Sequence, residues 1–427
     1  MTDDAAPFGG GGVDEWLRAL SVRHPRAIDM ELTRAEKVRA ALNLHLPMPA
    51  ATVGGTNGKG SVCALADAML RAGGVRVGLY TSPHLLHFRE RIRIHGEPVA
   101  DRVLTAAFAK VEKARAECRE SLTYFEFTTL AAALIFAEAE VDAVILEVGL
   151  GGRLDAVNLF PPAVAAVTNI GLDHQEFLGG DIDSIAAEKA GIFRRGCPAI
   201  VADADAPASL LAAAADAGAD LRVCGRDFAA EISGAGWHYR GRRELFSLPP
   251  PAMRGRHQMV NAAAAIAILE SMPENLWPGA GAVRRGLHSA SAPGRAQVLP
   301  GVPTTVLDVA HNAAAAAALE RMLFDMGYYP KTAAVLGMLA RKNAADFART
   351  LHRRVDQWFV ARPEDGDRDA ETTAREIAET GARAQVCDSV AAAARAAREY
   401  CGNDGRIVVT GSFMTVADYM RNFRPRI

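Results

Sequence analysis

The string "GGTNGKGSVCALA", Gly54 to Ala66, constrains this chain more than any other stretch. It follows a short apolar lead-in and precedes a run with helical spacing, so it reads as strand, glycine-rich turn and helix N-terminus, the helix running from about Ser61 to Gly73-Gly74. Such a unit offers backbone N–H groups and the positive end of a helix dipole to an anion. Gly55, Gly58 and Gly60 let the backbone approach phosphate oxygens, with Thr56 and Asn57 between them in the loop. Lys59 supplies a point charge, and the Ser61 hydroxyl suits Mg²⁺. The common consensus G-x-x-x-x-G-K-[ST] places the hydroxyl directly after the lysine, whereas here Gly60 stands between Lys59 and Ser61. The bland alternative is a glycine turn that binds nothing. A strand before and a helix after argue against it.

At 427 residues the chain exceeds the size at which one core stops growing, so two domains are expected. A formal charge of −2 leaves no basic excess of the kind nucleic-acid binding requires. The six cysteines are scattered without a C-x-x-C pair, which reads as buried or idle thiols of a reducing cytosol. "MTDDAAPFGGGG" lacks the basic start and apolar run of an export signal, so a cytoplasmic location is expected. The most apolar long window, Phe127 to Leu146, is interrupted by Glu138, Glu140 and Asp142. Charges there are costly in a bilayer, so the window reads as a helix followed by a strand, with no membrane partner.

Asp14 to Leu44 carries one or two surface helices by its spacing. "VRVGLYTSPHL", "VDAVILEVGLGG" and "AVAAVTNIGLDH" each read as strands running into loops, and their alternation with helices predicts a parallel sheet covered on both faces. The segment from Glu231 to Glu270 predicts a hairpin or small antiparallel sheet ahead of a helix from about His257. After a small-residue linker, "SASAPG", strands restart at "TTVLDVAHN", "TAAVLGML", "VDQWFVAR" and "RIVVTGS". The expected fold class is therefore α/β: a P-loop parallel-sheet N-terminal ATPase domain over 1–288, and a smaller, Rossmann-like α/β domain over 289–427. The alanine tracts at Ala262 to Ala265 and Ala313 to Ala318 need no role beyond close-packed helices.

Chemistry-bearing residues stand at the strand ends. Glu147 closes a buried strand, where ligands of open α/β sheets collect and where an unpaired carboxylate would be costly. His174 follows the next strand, and its company with Lys59, Ser61 and Glu147 favours a site over a structural histidine. Lys189 in "IAAEKAGIF" lies on a helix among apolar neighbours, where on residues alone an ion pair with Glu188 or a neighbour is the plainer reading. In the second domain Arg295 suits a phosphate, and Asp308 and His311 in "LDVAHN" suit ribose, phosphate or substrate. Gly411 and Ser412 form a weaker candidate at a further strand-to-helix turn, and His84 and His87 lack a third metal ligand.

Together these strings resemble the folylpolyglutamate synthase and dihydrofolate synthase family, within the Mur-type amide ligases. "GGTNGKGS", "TSPHL", "FEFTTLAAALIF", "LEVGLGGRLDAVN", "TNIGLDHQEFLG", "IAAEKAGIF", "GRHQMVNAAAA", "PGRAQV", "LDVAHN" and "TGSFMTVA" occur in family order from residue 54 to residue 418. That ligase group carries a glycine-lysine-x-[ST] loop, so Gly60 is the family's spacing. The resemblance implies ATP and Mg²⁺, with two metal sites: Ser61, Glu147 and His174 around one ion, and a carbamylated Lys189 holding the second. It implies Asn261, Arg295 and Asp308 as ATP contacts, His311 at the junction of the domains, and Ser82, Pro83, Arg153 and Asp155 in the folate-type substrate loops. Two departures stand out: Val309 and Ala313 where the family commonly shows Gly and Pro, and Arg341 and Asn343 where acidic residues are more usual.

The implied reaction adds L-glutamate to dihydropteroate and to tetrahydrofolate through an acyl phosphate, in a monomer of the bifunctional bacterial type. A monofunctional enzyme, an amide ligase acting on a cell-wall precursor, a nucleotide-dependent switch and an inactive structural relative are the rivals.

Overall fold

The computed structural model describes residues 11–234 and 236–423. Most of the N-terminal stretch read for export, 1–10, lies outside them. The chain divides into two compact units: Met1–Ser82, Phe88–Pro250 and Val260–Ala290 form one, and Pro83–His87, Pro251–Met259 and Ser291–Ile427 form the other. The two short segments that join the second unit from within the first are invisible to composition.

The first unit is built on an eight-stranded sheet of β1 (Ala50–Gly54), β2 (Val77–Tyr80), β3 (Ile92–Ile94), β4 (Glu97–Pro98), β5 (Ala143–Glu147), β6 (Val164–Val167), β7 (Pro198–Val201) and β8 (Asp220–Val223). Their order is β4-β3-β2-β5-β1-β6-β7-β8. From β2 to β8 every pairing is parallel, and β3 and β4 add an antiparallel edge. β1, β5 and β6 are buried along their whole length, which is why they are written as unbroken apolar runs rather than alternating ones. The register sets Val53 beside Glu147 on one side and beside Ala166 on the other, so the loops after β5, β1 and β6 leave the sheet side by side.

Helices Val13–Arg23 and Thr33–Ala41 bury Trp16, Leu20, Ala35 and Val38, so they belong to the core more than the surface reading allowed. Trp16, Phe108 and Phe127 meet there with ring centroids 5.6–6.3 Å apart. Helix Tyr124–Glu138 begins with a capping box, the Thr123 hydroxyl accepting from the Glu126 amide while the Glu126 carboxylate accepts from the Thr123 amide. The loop helix, Lys59–Ala72, starts two residues before its expected position and packs against helix Ala280–Ser289. That approach is close enough that a Cβ on Gly286 would lie 2.6 Å from the Met69 Cα. The expected antiparallel element is a three-stranded sheet of β9 (Ala229–Ser233), β10 (Gly236–Arg240) and β11 (Glu244–Leu248).

The second unit carries β12 (Gln297–Leu299), β13 (Thr304–Leu307), β14 (Thr332–Leu336), β15 (Gln357–Val360), β16 (Ala384–Val386) and β17 (Arg406–Thr410) in the order β12-β13-β17-β14-β15-β16. β12 is antiparallel to β13 and the rest are parallel, the open sheet expected of a Rossmann-like domain. The alanine tracts part company: Ala262 to Ala265 are fully buried, whereas Ala313, Ala314 and Ala317 face solvent. Among the described residues no helix is long and apolar enough to cross a membrane, and all six cysteines are free.

Candidate functional site

The glycine loop leaves β1 with Gly55 at φ +132° and Gly58 at φ +88°, both in the region that side chains resist. Space reinforces the requirement, since a Cβ on Gly55 would stand 1.9 Å from the Thr168 hydroxyl oxygen. Neighbouring β6 pins the loop: the Thr168 hydroxyl donates to the Asn57 carbonyl at 2.6 Å, and the Thr56 and Asn57 amides donate to the Asn169 carbonyl and side-chain oxygen at 2.9 Å each. The Thr56 hydroxyl and the Gly171 backbone also exchange hydrogen bonds. Asn261, from a helix some two hundred residues further on, closes the far side, its Oδ1 2.9 Å from where a Gly58 Cβ would be.

Lys59 bends back over the loop and donates to the Gly55 and Thr56 carbonyls at 3.1 and 3.2 Å. Lys189 donates to the same Gly55 carbonyl at 3.0 Å, so the ion pair with Glu188 is not what this lysine makes. Glu188 instead turns outward to Arg153, 2.6 Å away. Burial, then the charge of Lys59, hold the Lys189 ammonium down to a pKa of about 7. A lysine so placed is substantially a neutral amine at neutral pH, the form that reacts with carbon dioxide to give a carbamate and a proton.

Glu147 ends β5 almost wholly buried, and its Oε2 accepts from the Ser82 amide at 3.0 Å. Ser61 is equally buried in the first turn of the loop helix. His174 follows β6 in a left-handed conformation (φ 52°) and starts the short helix Gln175–Leu178, partly exposed and 4.0 Å from Asp173. Among the described residues no three His, Cys, Asp or Glu side chains converge as a metal cluster. A nucleotide-bound Mg²⁺ keeps phosphate oxygens and waters and takes only one or two protein oxygens. A buried hydroxyl in the first turn of the helix after β1 and a buried carboxylate at the end of the adjacent β5 fit that demand.

The glycine-rich loop after β5 is shaped by Asp155, whose carboxylate accepts from the Leu150 and Val157 amides at 2.9 and 3.0 Å. Burial raises its pKa to about 6, against the pull of those amides. Arg153 ties the loop to the helix of Lys189 through its Glu188 pair and through its amide, which donates to the Glu188 carbonyl at 2.8 Å. The sequence reading missed what covers this loop. The Phe125 ring lies against Gly149, and Met30 and Leu178 lie against Gly151, so the glycines are small because apolar side chains occupy the space a Cβ would need. It also missed Thr168 and Asn169; two polar residues at the end of a buried strand were the available signal.

The remaining candidates lie in the second unit, at the carboxyl end of β13. Asp308 accepts from the Ala296 and Ala310 amides at 2.8 Å each, and desolvation pushes its pKa up. The His311 Nδ1 meets the Val309 carbonyl at 2.8 Å, which in the neutral ring places the proton on Nδ1 and the lone pair on Nε2. The Arg295 guanidinium stands 5.7 Å over the Phe413 ring. Pro83 opens the five-residue segment belonging to this unit, while Ser82 belongs to the first.

Known proteins match along nearly the whole chain. The Mur ligase middle domain family matches residues 53–269, and the family described as Mur ligase, glutamate ligase domain matches 294–413. Dihydrofolate synthase/folylpolyglutamate synthase of Escherichia coli (strain K12) is 39% identical over 416 residues, which cover 97% of this chain and 96% of that protein. The structure of E. coli FolC in complex with DHPP and ADP matches with a TM-score of 0.89 at 38% identity, covering 96% of this chain and 97% of that one. A bifunctional folylpolyglutamate synthase/dihydrofolate synthase solved with Mn, AMPPNP and L-glutamate bound matches at 0.87 and 41% identity, covering 96% and 98%.

Proposed function

We propose, since the chain belongs to the dihydrofolate synthase/folylpolyglutamate synthase family of Mur-type ligases, that it joins L-glutamate to dihydropteroate and to tetrahydrofolate at the expense of ATP. It is an ATP-dependent ligase that takes small-molecule substrates. In the reaction a carboxylate oxygen of the folate acceptor attacks the γ-phosphorus, releasing ADP and leaving an acyl phosphate. The amine of glutamate then attacks the acyl carbon, loses a proton, and expels phosphate as the amide forms.

The observation that carries this reading is the pair of lysines on the Gly55 carbonyl, with a phosphate loop held rigid from β6 beside them. Lys59 and the amides at the start of the loop helix, Gly58 to Ser61, face charge on the transferring phosphoryl group, where positioning and electrostatics supply most of the catalysis. Ser61, Glu147 and His174 would hold Mg²⁺, and Lys189 as a carbamate a second ion. Bound there, the metal neutralises charge on the phosphates and the incoming carboxylate. Asn261 holds Gly58 for the nucleotide, Arg295, Asp308 and His311 serve ATP and the reacting groups from the second unit, and the loops of Ser82, Pro83, Arg153 and Asp155 receive the folate. We take 1–288 as the ATP-binding domain and 289–427 as the ligase domain of a cytoplasmic monomer.

The acyl phosphate is tested by labelling the acceptor carboxylate with ¹⁸O. Passage through it delivers one ¹⁸O to the released phosphate; unlabelled phosphate accompanying labelled amide product rules it out.

A further inference from the structure

The second unit contains a cavity of about 420 Å³ that the reaction above leaves unused, lined by Arg341, Lys342, Asn343, Ala345, Arg368 and Glu376 among others. It opens at the carboxyl ends of β14 and β15, on the edge of the sheet where β13 also presents Asp308 and His311, and where ligands of open α/β sheets bind. Arg341, Lys342 and Arg368 stand against two carboxylates, Glu376 in the wall and Asp367, which accepts from the Ala340 amide at 2.9 Å, so one cation is in excess. Arg368, its side chain 6% exposed, is committed within the wall: it pairs with Glu376 and donates to the Lys342 carbonyl at 2.7 Å. Glu376 in turn accepts from the Ala344 amide at 3.3 Å. Arg341 is different. It is exposed, and among the described residues its guanidinium makes no ion pair or hydrogen bond. The helix Ala344–Leu351 begins at the same place, with Asn343 capping the Asp346 amide.

With Arg368 neutralised by Glu376 inside the wall, Arg341 reaches outward beside the start of a helix, an arrangement that suits a carboxylate. We propose that this cavity binds the carboxylates of a γ-glutamyl chain, with Arg341 as the contacting cation. The proposal rests on the ligase reading, because each added glutamate leaves one α-carboxylate along the growing tail. Inorganic phosphate shares the chemistry, and the test separates the two.

Calorimetry on the full chain, with tri-γ-glutamate as one probe and inorganic phosphate as the other, reads the cavity without any turnover. Tri-γ-glutamate is expected to bind and to weaken about tenfold or more in Arg341→Glu, with Arg341→Lys in between. In turnover, Arg341→Glu is expected to raise the KM for a triglutamylated folate while leaving that for dihydropteroate within about twofold, and to shorten the products. Equal tri-γ-glutamate affinity in wild type and Arg341→Glu overturns the proposal, as does phosphate binding as tightly as the peptide. A wild-type protein that adds glutamate to no folate defeats the ligase reading instead, while the calorimetry still reports on the cavity.

Discussion

Lys59 and Lys189 donate to a single acceptor, the carbonyl of Gly55, at 3.1 and 3.0 Å. Burial strips the Lys189 ammonium of solvent and, second to that, the charge of Lys59 repels it, which together bring its pKa down to about 7. The neutral amine is the form that reacts with carbon dioxide, and a carbamate there would turn repulsion from Lys59 into attraction. Lys189→Ala is therefore expected to lower the rate of ADP release about a hundredfold or more. Bicarbonate will not restore it, whereas a short-chain carboxylic acid supplied in solution restores part. Wild type in ¹³C-bicarbonate should show a carbamate carbon signal that the variant lacks; full activity in Lys189→Ala removes the residue from the chemistry.

The glycine loop ranks its own substitutions. Gly55→Ala meets both a forbidding φ and the Thr168 hydroxyl at 1.9 Å, with the Thr168 backbone nitrogen at 2.9 Å behind it. Gly58→Ala also takes on a strained φ, +88°, but what it meets is the end of the Asn261 side chain at 2.9 Å rather than backbone. Urea denaturation should show Gly55→Ala losing about 2 kcal/mol or more and Gly58→Ala less, with ADP affinity falling in the same order. The opposite order contradicts the packing described.

Glu147→Gln keeps an oxygen to accept from the Ser82 amide, so its thermal midpoint should stay close to that of wild type. What it removes is the negative charge at the end of β5. Turnover is expected to be abolished, and Mn²⁺ affinity in the presence of ADP to fall at least about tenfold. Chelation of divalent ions should likewise stop wild-type turnover. A fully active Glu147→Gln enzyme takes Glu147 out of the metal site.

Asp155 gives a pH test. Its folded pKa, about 6, lies above the 3.8 of a free carboxyl, so between those values the folded state holds a proton that the unfolded state has lost. Stability from this group is therefore present below pH 3.8 and is lost as the pH rises to about 6. Asn carries no such dependence, so the stability of Asp155→Asn relative to wild type should climb by about 2 kcal/mol between pH 4 and pH 7. A difference that is flat with pH contradicts the raised value.

The strings that carry chemistry were legible because they are local. Gly55 to Ser61, Glu147, His174, Asp308 and His311 each sit where a strand ends, and the strands themselves were written in apolar runs too long to misread. What was hidden depends on distance along the chain. Nothing in "AVAAVTNIGLDH" says that Thr168 and Asn169 hold the loop of β1, nor in "HQMVNAAAA" that Asn261 closes over Gly58. Lys189 reads locally as the partner of Glu188, and only the fold brings Arg153 in to take that carboxylate and Gly55 to take the lysine. β12 and β16, three residues each, are too short for any period to register.

The most direct test of the central claim is ADP release by the purified protein with ATP, Mg²⁺ and glutamate, using dihydropteroate and tetrahydrofolate in turn as acceptor, with products weighed by mass spectrometry. The account predicts ADP release that depends on acceptor and glutamate together, and one glutamate or more added to each acceptor. Addition to only one acceptor would reduce the enzyme to a single activity; ADP release indifferent to both would contradict the ligase assignment.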